Sequence, residues 1–152
     1  MVDIKMLDVG QYISLKSWYR NMLENKNAIL RGRSALEYLE YFNGYLYENE
    51  VEIYSVEPVL ANDVKAVVVD SFNNIRYIND GGVLCSTFEQ AVNDMLADFD
   101  NTDEQALLEA LSRYYYTNNR SFSGLNISPA LQDRFSEVQN WAIDYHRRGA
   151  IV

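Results

Sequence analysis

The sequence predicts an α+β fold: a single domain in which helices pack on a small antiparallel or mixed sheet. Helical periodicity dominates both ends of the chain, whereas short β-branched stretches concentrate between residues 45 and 85. This segregation favours α+β over an alternating α/β order. The 152 residues are the length of one domain, and a hydrophobic fraction of 48% supplies the apolar surface for a core.

Two helices are predicted ahead of the strands. Ser14 is a suitable N-cap for the first, and residues 1–27 are interpreted as an N-terminal helical extension. An extended step at residues 28–30 follows. Ser34 is predicted to cap the second helix, and Asn43-Gly44 is predicted to end it, because both residues tolerate the left-handed conformation.

The middle of the chain predicts three to five strands. Residues 45–55 alternate around a turn at Glu48-Asn49-Glu50, which indicates either a hairpin or one bent strand. The β-branched run within residues 63–70 is typical of a buried strand. Asn79-Asp80-Gly81-Gly82 is a strong hairpin turn between two further short strands.

Three helices are predicted after the strands. Ser86 or Thr87 caps the third helix, and Thr102-Asp103-Glu104-Gln105 forms a capping box for the fourth. Ser128-Pro129 opens the last helix, whose apolar face includes Trp141. His146-Arg147-Arg148 closes it with cations at the negative end of the helix dipole.

The charge is uneven. The formal net charge is -9, and neither residues 34–64 nor residues 86–112 contain any Lys or Arg. Such a surface repels the nucleic-acid backbone and favours a basic protein surface as partner, although solubility alone also explains it. We therefore expect weak or absent binding to double-stranded DNA. The basic first helix (Lys16, Arg20, Lys26) is the one feature that favours DNA binding.

The sequence contains no recognisable catalytic or metal-binding motif. The single Cys85 and the single His146 cannot form a zinc cluster, and no glycine-rich phosphate loop is present. Glu50, Glu52 and Asp70 lack the spacing of a metal nuclease. We predict that the protein is not an enzyme, with no catalytic residue, no cofactor and no bound metal.

The expected location is the cytoplasm. One cysteine allows no internal disulfide, which fits a reducing compartment. The first residues do not form a signal peptide, and no apolar run reaches transmembrane length, so we expect no membrane association.

Two blocks of sequence resemble the antitoxin half (AbiEi) of the AbiE abortive-infection toxin–antitoxin systems. The first, residues 28–39, reads Ala-Ile-Leu-Arg-Gly-Arg-Ser-Ala-Leu-Glu-Tyr-Leu and is followed by Asn43-Gly44 and a strand. The second, residues 85–96, reads Cys-Ser-Thr-Phe-Glu-Gln-Ala-Val-Asn-Asp-Met-Leu and is followed by the Glu-Ala-Leu-rich residues 104–111. The order and spacing of these blocks define an antitoxin-like core at residues 28–116, followed by a C-terminal helix within residues 117–152. The winged helix-turn-helix that usually precedes this domain has no counterpart in residues 1–27.

The resemblance implies a non-enzymatic protein that neutralises a nucleotidyltransferase-like toxin in bacterial phage defence. In that family the pair is described as acting without a stable complex. The alternatives are an acidic inhibitor or DNA mimic, and a generic protein-interaction module from a phage or mobile element. The residues expected to face the partner are acids off the apolar helix stripes, predicted to point outward: Glu37, Glu40, Glu89, Asp94, Asp98 and Glu109.

Overall fold

The computed structural model describes residues 2–5, 14–44 and 50–147. Of these, residues 146 and 147 are described by their backbone alone. Within these ranges the chain forms five α-helices and seven strands around one core, so the predicted α+β class is confirmed. Residues 45–49, which include Glu48 and Asn49 of the predicted Glu48-Asn49-Glu50 turn, and Arg148 lie outside the described residues. The elements are β1 (Val2–Asp3), α1 (Leu15–Leu23), β2 (Ala28–Leu30), α2 (Gly32–Tyr38), β3 (Val51–Ser55), β4 (Val59–Leu60), β5 (Val64–Val68), β6 (Tyr77–Asp80), β7 (Val83–Ser86), α3 (Phe88–Ala97), α4 (Glu104–Thr117) and α5 (Gln132–Arg147).

Five strands form a mixed sheet in the order β5-β3-β2-β7-β6. The central strand, β2, is antiparallel to β3 and parallel to β7. The hairpin of β6 and β7 and the parallel pair of β3 and β5 complete the sheet on either side. Strands β1 and β4 form a separate two-stranded parallel sheet.

The helices enclose the core on one face of the sheet. Helix α1, in the predicted N-terminal extension, is part of this core, because Trp18 and Tyr19 are fully buried. The Ser14 hydroxyl accepts a hydrogen bond from the Ser17 amide at 3.1 Å, which confirms the predicted cap. Helices α3, α4 and α5 bury the residues Ala91, Val92, Met95, Leu96, Leu107, Leu111, Phe135, Val138 and Ala142.

The predicted hairpin between β6 and β7 is confirmed. Asp80 pairs with Val83, which leaves Gly81 and Gly82 as a two-residue turn. Their φ angles of 60° and 100° are the positive values that such a turn requires at both positions. The Arg20 side chain packs so closely on Gly81 that an added Cβ would lie 2.9 Å from its Nη1 atom.

Helix α2 differs from the prediction at both ends. Arg31 occupies the N-cap position, and the Ser34 hydroxyl instead accepts a hydrogen bond from the Glu52 amide at 2.9 Å. The helix ends at Tyr38, before the predicted Asn43-Gly44 stop. Glu40 adopts a φ of 68°, and its amide and that of the next residue donate back into the last turn, which is the Schellman arrangement.

Three further predictions are wrong in detail. Strand β5 lies at the sheet edge rather than inside it, because it pairs with β3 alone, and its Val67 and Val68 side chains are 41% and 53% exposed. Asp103, not Thr102, caps α4, since its side chain is the acceptor of the Ala106 amide at 3.1 Å. Trp141 is 44% exposed, because Val138 and Ala142 supply the buried face of α5 there.

The remaining helix starts agree more closely with the sequence. The Thr87 hydroxyl caps α3 by accepting the Gln90 amide at 3.1 Å. A 3₁₀ turn from Pro129 to Leu131 leads into α5. In the described part of the chain, none of the helices is long and apolar enough to cross a membrane.

Leu111→Ala tests the helical part of the core. Leu111 is fully buried within the main cluster, so its truncation removes apolar contacts and leaves a cavity. We expect a loss of about 2–5 kcal/mol of unfolding free energy, measured by urea denaturation. Leu108→Ala on the half-buried side of the same helix is the matched control and should cost less; equal losses would contradict the assigned helix face.

Candidate functional site

The structure separates the six acids expected to face a partner, and two of them are buried. The Glu37 carboxylate accepts hydrogen bonds from the Tyr19 hydroxyl at 2.9 Å and from the Gly44 amide at 3.0 Å. The Glu109 carboxylate accepts the Asn43 amide at 2.9 Å. Their outward orientation is therefore wrong, for a physical reason: both carboxylates satisfy backbone amides of the irregular segment after α2.

Glu89 and Asp94 are half-buried and engaged in internal contacts. Glu89 forms an ion pair of 2.6 Å with Arg76. Asp94 accepts a hydrogen bond from the Gln90 side chain at 3.0 Å and lies 4.0 Å from Arg31. Burial raises the pKa of Asp94, and the nearby Tyr54 hydroxyl and Arg31 guanidinium oppose that rise. Both carboxylates are engaged by neighbouring groups, Glu89 at the surface and Asp94 in a more buried position, so they differ from the predicted outward orientation.

Glu40 and Asp98 are exposed, as predicted. Glu40 follows α2, and its backbone carbonyl accepts a hydrogen bond from Arg113 at 3.3 Å. Asp98 ends α3, and its carboxylate accepts the Asn101 side-chain amide at 2.8 Å. Of the predicted partner-facing acids, these two are open to a partner.

The sequence prediction missed a cluster of charges at the end of β2. We call it the arginine cluster: Arg31, Arg33, Glu50, Glu52, Lys65 and Asp103. The Arg33 guanidinium, which is almost completely buried, lies 3.3 Å from Glu50, 3.7 Å from Glu52 and 3.7 Å from Asp103. Arg33 thereby joins the start of α2 to the start of β3 and to the cap of α4.

Arg31 and Lys65 extend the cluster on either side. Arg31 lies 3.8 Å from Glu52, and its guanidinium stacks 4.7 Å from the centre of the Tyr54 ring. The Lys65 ammonium lies 2.8 Å from Glu50. Burial raises the pKa of Glu52, and the guanidinium groups of Arg33 and Arg31 oppose that rise.

A polar cleft of about 650 Å³ opens beside the cluster. Its lining includes Arg33, Asn43, Lys65, Asn101 and Gln105. Each carboxylate of the cluster contacts a cation, so the arrangement neutralises charge and joins elements to one another. Within residues 2–5, 14–44 and 50–147, no group of three or more His, Cys, Asp or Glu side chains is placed to hold a metal ion.

Two sequence signals could have revealed the arginine cluster. Arg31-Gly32-Arg33 lies between a strand and a helix, and Glu50-Val51-Glu52 alternates at the start of the next strand. Alternation places both glutamates on one side of β3. What the sequence does not show is that β3 lies antiparallel to β2, the pairing that brings the two segments together.

A second surface combines an exposed tryptophan with acids. We call it the Trp141 surface: Phe99, Glu104, Leu108, Trp141 and Tyr145, with Asp98 and Asp100 beside them. Four of these residues line a recess of about 290 Å³: Glu104, Leu108, Trp141 and Tyr145. The Phe99 and Trp141 ring centroids are 6.4 Å apart, and Arg134 stacks on Phe99.

The exposed acids of the Trp141 surface form no ion pair with a cation of the described residues. Asp98, Asp100 and Glu104 are exposed, and none takes part in an ion pair among the described residues. A half-exposed tryptophan in a largely apolar recess with acids at its edge is typical of binding surfaces. The free acids give this surface a preference for a basic partner.

The sequence prediction assigns three basic residues, Lys16, Arg20 and Lys26, to the first helix; Lys16 and Arg20 lie in α1 and contact other parts of the protein, whereas Lys26 follows the helix. Arg20 donates to the Gly81 carbonyl at 2.8 Å and lies 3.9 Å from Asp80. The Lys16 ammonium lies 5.2 Å from the centre of the Tyr38 ring. For Lys26, the described part of the chain shows neither an ion pair nor a contact with an aromatic ring.

No family model matches the chain, and neither do any of the characterised proteins or solved structures with which it was compared.

Arg33→Met tests the arginine cluster. The substitution keeps an apolar side chain of similar length and leaves three carboxylates near one another without their shared cation. We expect a loss of about 3–5 kcal/mol of unfolding free energy near neutral pH. The exposed Lys65→Met variant removes a cation from the same Glu50 and should cost about 0–1 kcal/mol.

The pH dependence of the same variant checks the cause. Arg33 opposes the raised pKa of Glu52, so its removal raises that pKa further. When a carboxyl has a higher pKa in the folded than in the unfolded protein, its protonated form stabilises the fold. This stabilisation is lost as the pH rises through the folded-state pKa. The deficit of Arg33→Met should therefore shrink as the pH falls from neutral toward 4.5, the ordinary pKa of glutamic acid. A deficit that does not change with pH would contradict the electrostatic explanation.

Proposed function

We propose that this protein is a non-enzymatic antitoxin that neutralises a nucleotidyltransferase-type toxin in a bacterial phage-defence system, and that it contacts this toxin through the Trp141 surface. The activity is suggested by the AbiE-type sequence blocks. The single structural observation that supports a contact is an exposed tryptophan beside acids that form no ion pair among the described residues. The cytoplasm is the proposed place of action.

The two parts of the Trp141 surface would act differently on a partner. Exposed Trp side chains are frequent among the residues that dominate binding energy, because they bury a large rigid area on association. Rim acids mainly raise the association rate with a basic partner, and salt weakens that effect. A toxin that handles nucleotides or RNA is expected to present a basic cleft, which suits both contributions. Such a contact can be brief, consistent with the family's lack of a stable complex.

An acidic inhibitor or DNA mimic is the second candidate. The three exposed acids Asp98, Asp100 and Glu104 favour it independently of any family relation, since they lie in a stretch without Lys or Arg. A nucleotidyltransferase-like reading frame found beside the gene would support the antitoxin proposal. Its absence, together with recovery of a basic nuclease or DNA-binding protein in a pull-down, would support the inhibitor instead.

Co-expression with the neighbouring toxin tests the proposed activity. The wild-type protein should restore growth of cells that express the toxin. Asp98→Lys with Glu104→Lys should weaken this protection, and the association rate with purified toxin should fall about tenfold or more at low salt.

Asp3→Lys with Asp70→Lys is the matched control, because it changes the same charge at exposed positions elsewhere that, like Asp98 and Glu104, form no ion pair among the described residues. This control should protect like the wild type. Full protection by the folded Asp98/Glu104 variant would show that the charges of this surface are not needed for protection. Failure of the wild-type protein to protect would remove the antitoxin proposal itself.

Trp141→Ala tests the aromatic contribution. Because the Trp141 ring is 44% exposed, its loss should leave the protein folded, with a small change in the unfolding midpoint. Binding to the toxin should weaken by about 2 kcal/mol or more if Trp141 dominates the contact. Tyr77→Ala, a 40%-exposed aromatic residue on β6, is the control. Equal binding by both variants would contradict the proposed surface.

A further inference from the structure

Strand β5 is an edge strand whose sequence is typical of a sheet interior. Its residues, Val-Lys-Ala-Val-Val, are rich in β-branched side chains, and Val67 and Val68 are 41% and 53% exposed. It pairs with β3 on one side, and no strand in the described part of the chain pairs with the other. The composition of β5 is therefore that of an interior strand, although the strand lies at the edge of the sheet.

The register with β3 defines which backbone groups of β5 are open. The Val51 amide donates to the Asp63 carbonyl at 3.0 Å, and the Val69 amide donates to the Ser55 carbonyl at 2.8 Å. Odd-numbered residues from 63 to 69 therefore direct their hydrogen-bonding groups toward β3. Successive residues of a strand direct their backbone amide and carbonyl groups to opposite sides. Val64, Ala66 and Val68 therefore direct these groups away from β3, toward the open edge. This edge offers donors and acceptors to a further strand.

Within the described residues, β5 lacks the usual sequence protections of an exposed edge. Natural edge strands carry a free lysine, a proline, a bulge or a covering segment. The lysine of β5, Lys65, has its ammonium 2.8 Å from Glu50, so its charge is neutralised locally. The strand contains no proline or glycine, and five consecutive residues pair with β3 in register without a bulge.

We infer that β5 accepts an extended, basic strand from another protein, which adds to the sheet beside it. Backbone hydrogen bonds to Val64, Ala66 and Val68 would supply affinity, as in other cases of strand addition. The exposed acids Asp63 and Asp70 flank the two ends of the strand and would pair with Lys or Arg of the incoming segment. The net charge of -9 opposes a second copy of this chain as the occupant. The inference does not depend on the proposed antitoxin function.

Amide hydrogen exchange with a defined peptide tests this directly. The probe is an alternating Lys-Val peptide of roughly ten residues, long enough to pair along the whole strand. Its charge-inverted control alternates Glu and Val. We expect the Lys-Val peptide to slow exchange at the amides of Val64, Ala66 and Val68, while those of Lys65 and Val67, already bonded to β3, change little. The Glu-Val peptide should give no such protection.

Val68→Pro checks that strand addition is responsible. Because the Val68 amide points away from β3, proline removes a donor of the open edge and no hydrogen bond of the sheet. This variant should lose peptide binding, measured by fluorescence anisotropy, whereas Val68→Thr should retain most of it. The wild-type exchange experiment remains decisive if the proline variant is poorly folded.

Three results would overturn the inference. The first is no protection at Val64, Ala66 and Val68 with the Lys-Val peptide. The second is equal protection by the Glu-Val peptide, which would remove the preference for a basic strand. The third is protection that appears without peptide and grows with protein concentration, which would identify a second copy as the occupant.

Discussion

Strand β2 is the element on which the rest of the structure depends. It has only three residues, all fully buried, and it lies between β3 and β7, which run in opposite directions. A buried strand must have its backbone groups paired, so both neighbours are held in register. Immediately after β2, Arg31 and Arg33 form ion pairs with carboxylates of β3, of α3 and of the N-cap of α4. The centre of the sheet and its polar end are therefore fixed together.

The carboxylates of this acidic protein divide into two groups. Glu37, Glu52 and Glu109 are drawn inside, where arginines or backbone amides satisfy them. Asp98, Asp100 and Glu104 remain at the surface without ion pairs among the described residues. Buried pairs contribute to a defined arrangement of elements, whereas exposed charges act on encounter with a partner. Net charge alone does not distinguish these roles.

Local sequence predicted the fold class and many element boundaries because these depend on short-range chemistry. The Ser14 and Thr87 caps and the Gly81-Gly82 turn are satisfied by neighbours in the chain. The errors concern long-range pairing. The composition of β5 did not show that it lies at an edge, and spacing on a helix did not show that Glu37 and Glu109 would bond to the segment after α2. The arginine cluster was missed for the same reason.

Direct contact between the Trp141 surface and a nucleotidyltransferase-like toxin is a proposal that NMR can test. Two-dimensional spectra of the labelled protein, with unlabelled toxin added, detect brief as well as stable contacts. Direct contact should shift the signals of the Trp141 indole and of the amides of Phe99, Glu104 and Leu108, and these shifts should weaken between about 50 mM and about 300 mM salt. If the protein protects cells but shows no shift at these residues, or shifts confined to another face, the proposed contact is wrong.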